Sequence, residues 1–267
     1  KKKRIKIPVP QFIVLYNGNE PFPEHGVQKL SDSFIVEQEN PQLELKVNIY
    51  NINYEVNAEI VQNSKSLNEY SHFIGKIKEN LANGMTLEEV WKPIFVLGYE
   101  HQFVGGGEHP MYALHNDGRK LVGRAVTCTY CPTRPDLHEL QFARGAEDGR
   151  SGNYNQWVID NLYERDVVVC DMYDKIYKGT FLGGNLTTAL QKRTKNGGAV
   201  VWGGIRDVEQ MKKVPDVQVY YRGIDPTPIR EFVMQSFNGI TRIGKATVLP
   251  GDIVYGAGGG VLFIPAH

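Results

Sequence analysis

The stretch VVVCDMYDKIYKGTFLGGNLTTALQKRTKNGGAVVWGGIRD, residues 167–207, decides how the chain is read. Val167-Val-Val-Cys170 and Ala199-Val-Val-Trp202 are short apolar runs bounded by Asp or Gly, the pattern of strands covered on both faces. Between them, Leu186-Thr-Thr-Ala-Leu-Gln-Lys-Arg-Thr194 carries cations in its last turn, and Asn196-Gly197-Gly198 follows as a stop, which signals a helix. Val217 to Tyr221 is a further run of the same kind. Buried strands alternating with helices predict an α/β fold.

Toward the N-terminus the grammar changes. Residues 1 to 84 hold two strand-like runs, Gln11 to Tyr16 and Leu43 to Tyr50, separated by Asn17-Gly18 and a turn region at Pro21 and Pro23. From Ser66 the spacing Leu67, Tyr70, Phe73-Ile74, Ile77, Leu81 is that of an amphipathic helix, with Ser66 as cap and Asn83-Gly84 as stop. These features predict a small α+β piece over residues 1–84, a boundary near 84 to 86, and a second domain over 85–267.

At 267 residues the chain has room for one large domain or two modest ones. Thirty basic residues balance thirty acidic ones, so no overall charge draws it to nucleic acid or an anionic membrane. Lys1-Lys2-Lys3-Arg4 is a local basic run, read as a solvated end leading into a strand. No apolar stretch approaches the roughly 18 to 20 residues that span a bilayer, and no signal pattern opens the chain, so a cytoplasmic protein is expected. The absence of an initial Met and the end at His267 directly after an apolar run read as fragment boundaries. Cys128, Cys131 and Cys170 are too few for a disulfide framework.

Several constellations could carry chemistry. Gly183-Gly184-Asn185-Leu186 opens the predicted helix, where backbone amides and the helix dipole favour a carboxylate or phosphate. The same residues also suit a plain strand-to-helix turn with Asn185 as N-cap, and spacing does not choose between the two. Gly203-Gly-Ile-Arg206-Asp207 sets a carboxylate-binding Arg beside a possible ligand for a hard cation. Taken alone, Asp207 followed by Gln210 reads better as a helix capping box. Cys128-Thr-Tyr-Cys131 has zinc-ligand spacing but no second pair, and reads as ordinary strand cysteines. Asp32 with Glu44-Leu-Lys46 matches a permissive nuclease spacing, but alternating charge on an exposed strand face explains Glu44 and Lys46 without function and is the preferred reading.

The motifs Met85-Thr-Leu-Glu-Glu-Val-Trp91, Gly98-Tyr99, Gln102-Phe103, Leu121-Val-Gly-Arg-Ala-Val-Thr127, Arg134-Pro-Asp136, Trp157-Val-Ile-Asp160, Gly183-Gly-Asn-Leu186, Gly203-Gly-Ile-Arg-Asp207, Pro250-Gly-Asp252 and Phe263-Ile-Pro265 occur in an order that resembles the RraA-like family. That family includes aldolases for 4-hydroxy-4-methyl-2-oxoglutarate, oxaloacetate decarboxylases, and proteins that bind and regulate a ribonuclease. The resemblance implies a swivelling β/β/α sandwich that assembles as a homotrimer with active sites at subunit interfaces. It also implies a role for each residue left open above. Asp207 would be the ligand for Mg²⁺ or Mn²⁺ and Arg206 would bind a small oxo-acid substrate, the two forming the catalytic pair. Gly183, Gly184, Asn185 and Leu186 would hold the pyruvyl carboxylate.

Three positions depart from the aldolase pattern. Gly184-Asn185 stands where aldolases carry an Asp, Gln210 replaces the acid three residues beyond Asp207, and Ala257-Gly-Gly-Gly260 lacks a late acid; Glu209 and Asp171 are near enough in sequence to substitute. Residues 1–84 resemble a different family, the Rpn-like transposase-associated nucleases of the PD-(D/E)XK class, through Pro8-Val-Pro-Gln-Phe-Ile-Val-Leu-Tyr-Asn-Gly18, Lys29-Leu-Ser-Asp32, Leu43-Glu-Leu-Lys46, Asn51-Ile-Asn-Tyr54 and Leu67-Asn-Glu-Tyr70. The part of that family carrying the catalytic acids would precede this segment. The expected function is therefore a metal-dependent lyase, with a non-catalytic ribonuclease-binding protein as the alternative.

Overall fold

The computed structural model describes residues 9–16, 21–36, 41–56, 58–65, 67–68, 71–72, 75–76, 79, 87–107 and 110–266. The chain divides into two compact units, Lys1–Thr86 and Leu87–His267. Among the described residues no helix is long and apolar enough to cross a membrane.

In the N-terminal unit, β1 (Phe12–Tyr16), β2 (His25–Lys29) and β3 (Lys46–Asn51) form a sheet in the order β1-β3-β2. β1 runs parallel to β3 and β2 antiparallel to it. The sequence reading has no β2, because His25-Gly-Val-Gln-Lys29 holds a single large apolar residue and lies mostly in solvent. Its pairing with β3 supplies the order that alternation does not. A short helix, α1 (Glu59–Gln62), buries Val61 with Ile52 and Ala58 in a small cluster. Leu67, Asn68, Ser71, His72, Gly75, Lys76 and Glu79 are helical as expected, and Lys65 is already helical ahead of the proposed cap. The proposed cap Ser66, the apolar positions Tyr70, Phe73, Ile74, Ile77 and Leu81, and the stop at Asn83-Gly84 lie outside the described residues.

The C-terminal unit begins with α2 (Leu87–Val96), β4 (Phe103–Val104), β5 (Tyr112–Ala113) and the long β6 (Leu121–Pro132). Then come α3 (Pro135–Glu147), α4 (Tyr154–Asp160), β7 (Asp166–Lys175), α5 (Gly184–Thr194), β8 (Gly198–Ile205), α6 (Val208–Met211) and β9 (Gln218–Ile224). β10 (Phe232–Phe237), β11 (Thr241–Ile243), β12 (Ala246–Val248), β13 (Ile253–Ala257) and β14 (Gly260–Ile264) complete it. The central strands β6-β7-β8-β9 are parallel. Antiparallel strands extend this sheet to the order β4-β14-β13-β6-β7-β8-β9-β5, with β10 also on β6.

Side chains alternate across the central strands, so one sheet builds two cores. Val168 and Cys170 of β7 and Ala199 and Val201 of β8 pack under the helices with Trp157, Val158, Leu190 and Met211. Val167, Val169, Val200 and Trp202 face the other way, against Ile243, Ala246 and Val248 of the β11-β12 pair. Helices, sheet and second β layer make the β/β/α sandwich that the resemblance implies. Burial of each of these Val side chains stabilises the fold by about 1.5 to 3 kcal/mol before chain entropy is counted.

Candidate active site

The expected site residues meet where the β7-α5-β8 crossover closes on itself. Ahead of α5 the chain runs beside the end of β8: Leu182 bridges Ile205 in parallel, Phe181 N–H donates to Gly204 O (3.0 Å), and Arg206 N–H donates to Leu182 O (2.9 Å). This short pairing brings the glycine turn alongside Arg206 and Asp207. Gly204 is required for it, since a Cβ there would stand 2.7 Å from the Ile176 carbonyl oxygen.

The N-cap of α5 is Gly183, in an extended conformation, and not Asn185. Asn185 lies inside the first turn, so the simple N-cap reading of that residue is corrected. Leu186 turns its side chain toward the helix-side core, leaving its backbone as the part available to a ligand. At the other end, Lys195 takes a left-handed φ of 59°, so the helix turns off there and not at Asn196-Gly197-Gly198.

Asp207 also differs from the capping-box expectation. It occupies the N-cap position of α6 with φ 56° and ψ 36°, in the left-handed region, and its side chain makes no capping hydrogen bond. Its Oδ2 instead accepts from Gly184 N–H at 3.3 Å and lies 3.3 Å from Arg206 Nε. The Gln210 side chain does not reach back to Asp207; its Nε2 donates to Asn185 Oδ1 (3.4 Å). A carboxylate in a left-handed cap, unused by its own helix, is the kind of local departure that tertiary contacts must hold in place.

Arg206 is aimed by a chain that the sequence reading missed. Its Nη1 donates to Thr180 Oγ1 (3.4 Å), and that fully buried hydroxyl donates to Thr227 O (2.6 Å). Thr227 in turn donates from its N–H to Asp225 Oδ1 (3.0 Å), and hydrogen bonds from Thr227 hold the Asp225 carboxyl below the usual carboxylate range. The turn chemistry of Asp225-Pro-Thr227-Pro was the available signal. Thr180 had none beyond its place between two quoted motifs.

The glycines leave room for these contacts. A Cβ on Gly183 would come within 2.7 Å of Asp207 Oδ2 and 3.0 Å of Arg206 Nε, while one on Gly184 would come within 2.2 Å of Gln210 Cδ. Among the described residues no group of three or more His, Cys, Asp or Glu side chains is placed to hold a metal ion. A single carboxylate that is 43% exposed fits a hard cation such as Mg²⁺, which keeps several waters and takes further oxygens from its substrate; it does not fit a zinc-type cage.

Neither acid offered as a substitute joins the site. Glu209 is highly exposed and pairs with Lys212 (3.1 Å). Asp171 faces the β11 side of the sheet, accepting from Tyr173 N–H (2.8 Å) with Arg242 Nε at 3.9 Å, and burial pushes its carboxyl pKa up. Asp252, in the Pro-Gly-Asp motif, is spent on backbone amides of Leu249 and Ala266. Cys128 and Cys170 are free, buried, and in register on β6 and β7; Cys131 is free and directs Sγ to Val233 O. In the N-terminal unit, Asp32 accepts from Lys29 N–H and Glu44 from Ser31, so these acids are engaged locally.

Fold and site together define an α/β sandwich with an Arg-Asp pair set against a glycine-rich helix start. Residues 99–263 match the RraA-like family, described as Aldolase/RraA; the match spans more than half of the chain, which therefore belongs to that family. The chain is 28% identical over 153 residues to the "Putative 4-hydroxy-4-methyl-2-oxoglutarate aldolase" of Pseudomonas paraeruginosa, covering 52% of this chain and 94% of that protein. It is 29% identical over 157 residues to Protein DlpA of Legionella pneumophila, a match covering 56% of this chain and only 22% of DlpA. The crystal structure of Streptomyces coelicolor RraAS2, an unusual member of the RNase ES inhibitor RraA protein family, superposes with a TM-score of 0.56 at 23% identity, covering 72% of this chain and 85% of that one. At that identity it is the fold that is shared.

Proposed function

We propose that the chain is a divalent-metal-dependent lyase that converts a small oxo-dicarboxylic acid, such as 4-hydroxy-4-methyl-2-oxoglutarate or oxaloacetate, to pyruvate. Asp207 carries the reading. Its carboxylate caps no helix, yet it is held beside a guanidinium and a helix-start amide, 3.3 Å from each. Arg206, steadied by Thr180, binds the substrate's pyruvyl carboxylate together with the amides of Gly184, Asn185 and Leu186. The same guanidinium stabilises negative charge as it builds on the enolate when the carbon–carbon bond breaks. A Mg²⁺ or Mn²⁺ ion held by Asp207 would add Lewis-acid stabilisation of that charge. The protein works as a cytoplasmic homotrimer, with no membrane or nucleic-acid partner.

A second reading, a non-catalytic protein that binds and regulates a ribonuclease or another partner, draws on Gln210. Its neutral carboxamide lies against the Gly184-Asn185 turn, where the aldolase pattern has carboxylates. Pyruvate release from oxaloacetate, with and without Mg²⁺, separates the two. The lyase reading expects Mg²⁺-dependent release that Asp207→Asn abolishes. Stability should change by less than about 1 kcal/mol, because Asn also tolerates a left-handed φ. An active Asp207→Asn protein removes Asp207 as the metal ligand and with it the central support for this lyase mechanism; a wild type inactive with Mg²⁺, Mn²⁺ and several oxo-acids supports the binding protein.

A further inference from the structure

Asp207 stands where a substrate carboxylate would have to bind. Its Oδ2 accepts from Gly184 N–H and lies beside Arg206 Nε, both at 3.3 Å, and these are two of the groups that the proposed substrate site offers to an anion. No bond to α6 holds the carboxylate back, and the bare α-carbon of Gly183 provides the space it lies in. A second carboxylate cannot take the same amide and guanidinium edge without displacing the first, and two anions at that spacing repel.

We infer that Asp207 is an internal ligand of the carboxylate site, closing it to anions until a divalent cation takes up the Asp207 carboxylate. This rests on the carboxylate site proposed above and adds its control. Cation and oxo-acid binding are then linked, and each strengthens the other by the same factor. The Asp207 carboxylate, being covalently attached, competes at a high effective concentration with any free acid. The metal-free protein is thereby kept from binding the many small carboxylates it would meet.

The test needs no turnover. Oxalate, a planar dianion shaped like the pyruvate enolate, is titrated calorimetrically into protein kept metal-free with EDTA. Asp207→Asn should bind oxalate at least tenfold more tightly than wild type. Asp207→Ser, which truncates the side chain, should show the same gain even if one of the two variants folds poorly. Glu209→Gln removes an equal charge two residues away, from a side chain that faces solvent, and should change affinity less than threefold.

If the variants at 207 gain no more than Glu209→Gln, the internal-ligand proposal is overturned, and the lyase reading stands or falls on pyruvate release. If the gain appears but wild type with Mg²⁺ releases no pyruvate, the internal ligand survives and the lyase reading falls. Oxalate binding to none of the proteins overturns the internal ligand, and pyruvate release with Mg²⁺ still decides the lyase reading.

Discussion

Gly184 and Gln210 should behave as one packing unit. A Cβ on Gly184 would lie 2.2 Å from Gln210 Cδ and 2.3 Å from its Oε1, so Gly184→Ala forces the carboxamide out. Gln210 is exposed and can swing away, which puts the cost at the low end of overpacking, about 1 kcal/mol, including loss of its weak 3.4 Å bond to Asn185. Against this, Ala replaces Gly in the first turn of α5 at a φ that L-residues accept, a gain of up to about 1 kcal/mol. Gly184→Ala alone should therefore change stability by less than about 0.5 kcal/mol. In a Gln210→Ala background the clash is gone, and the same change should stabilise by about 1 kcal/mol. The coupling is the quantity to measure. Trp91, Trp157 and Trp202 all fall in the C-terminal unit, so tryptophan fluorescence in urea follows that unit alone. With a slope of about 2 to 3 kcal/mol/M, the coupling corresponds to a midpoint difference of roughly 0.3 to 0.5 M. Additive midpoints would refute the contact between Gln210 and the turn.

Thr180→Val removes the buried hydroxyl that joins Arg206 to the Thr227 carbonyl. It should cost about 1 to 3 kcal/mol in the same urea assay, and an unchanged midpoint would show that the chain of bonds does not hold Arg206. Asp171 has a folded-state pKa raised chiefly by burial, so its charged form is disfavoured in the fold. Wild type then loses stability as pH climbs from below the unfolded pKa through the folded one. Asp171→Asn, which does not titrate, should gain relative to wild type in melts at pH 7 compared with pH 3, and the opposite trend would contradict the sign. The N-terminal unit should not cleave DNA, because Asp32 and Glu44 accept hydrogen bonds from Lys29 and Ser31 and belong to no group of three or more potential metal ligands among the described residues. Metal-dependent plasmid cleavage that Glu44→Ala abolishes would show otherwise.

The α/β architecture was legible in residues 167–207 because parallel strands buried on both faces must be apolar without interruption, and a helix between them must end in polar punctuation. The antiparallel strand β2 was not, since an exposed strand of five residues with one large apolar side chain carries no period. Arg206 and Asp207 could be picked out, but the contacts that Asp207 makes could not. Asp-x-x-Gln satisfies the local rule for a capping box, and only the Gly184 amide, brought in by the crossover, pulls the carboxylate off its own helix. Thr180 and Thr227 stand 47 residues apart in sequence, and no local pattern links them.

Two of the three departures from the aldolase pattern, Gly184-Asn185 and Gln210, are not independent in space. Gln210 fills the volume over Gly184 that any side chain at that position would need, and its amide meets Asn185. An acid could not be added to the turn at Gly184 without moving Gln210. Two neutral amides thus stand together where the pattern has carboxylates, and Arg206 with Asp207 is left as a self-neutralising pair. Such a pair favours neither a cation nor an anion strongly on its own. Binding either one exposes the opposite charge of the pair to the other ligand, and that is why metal and oxo-acid should be recognised together here, with Asp207 as the point of exchange.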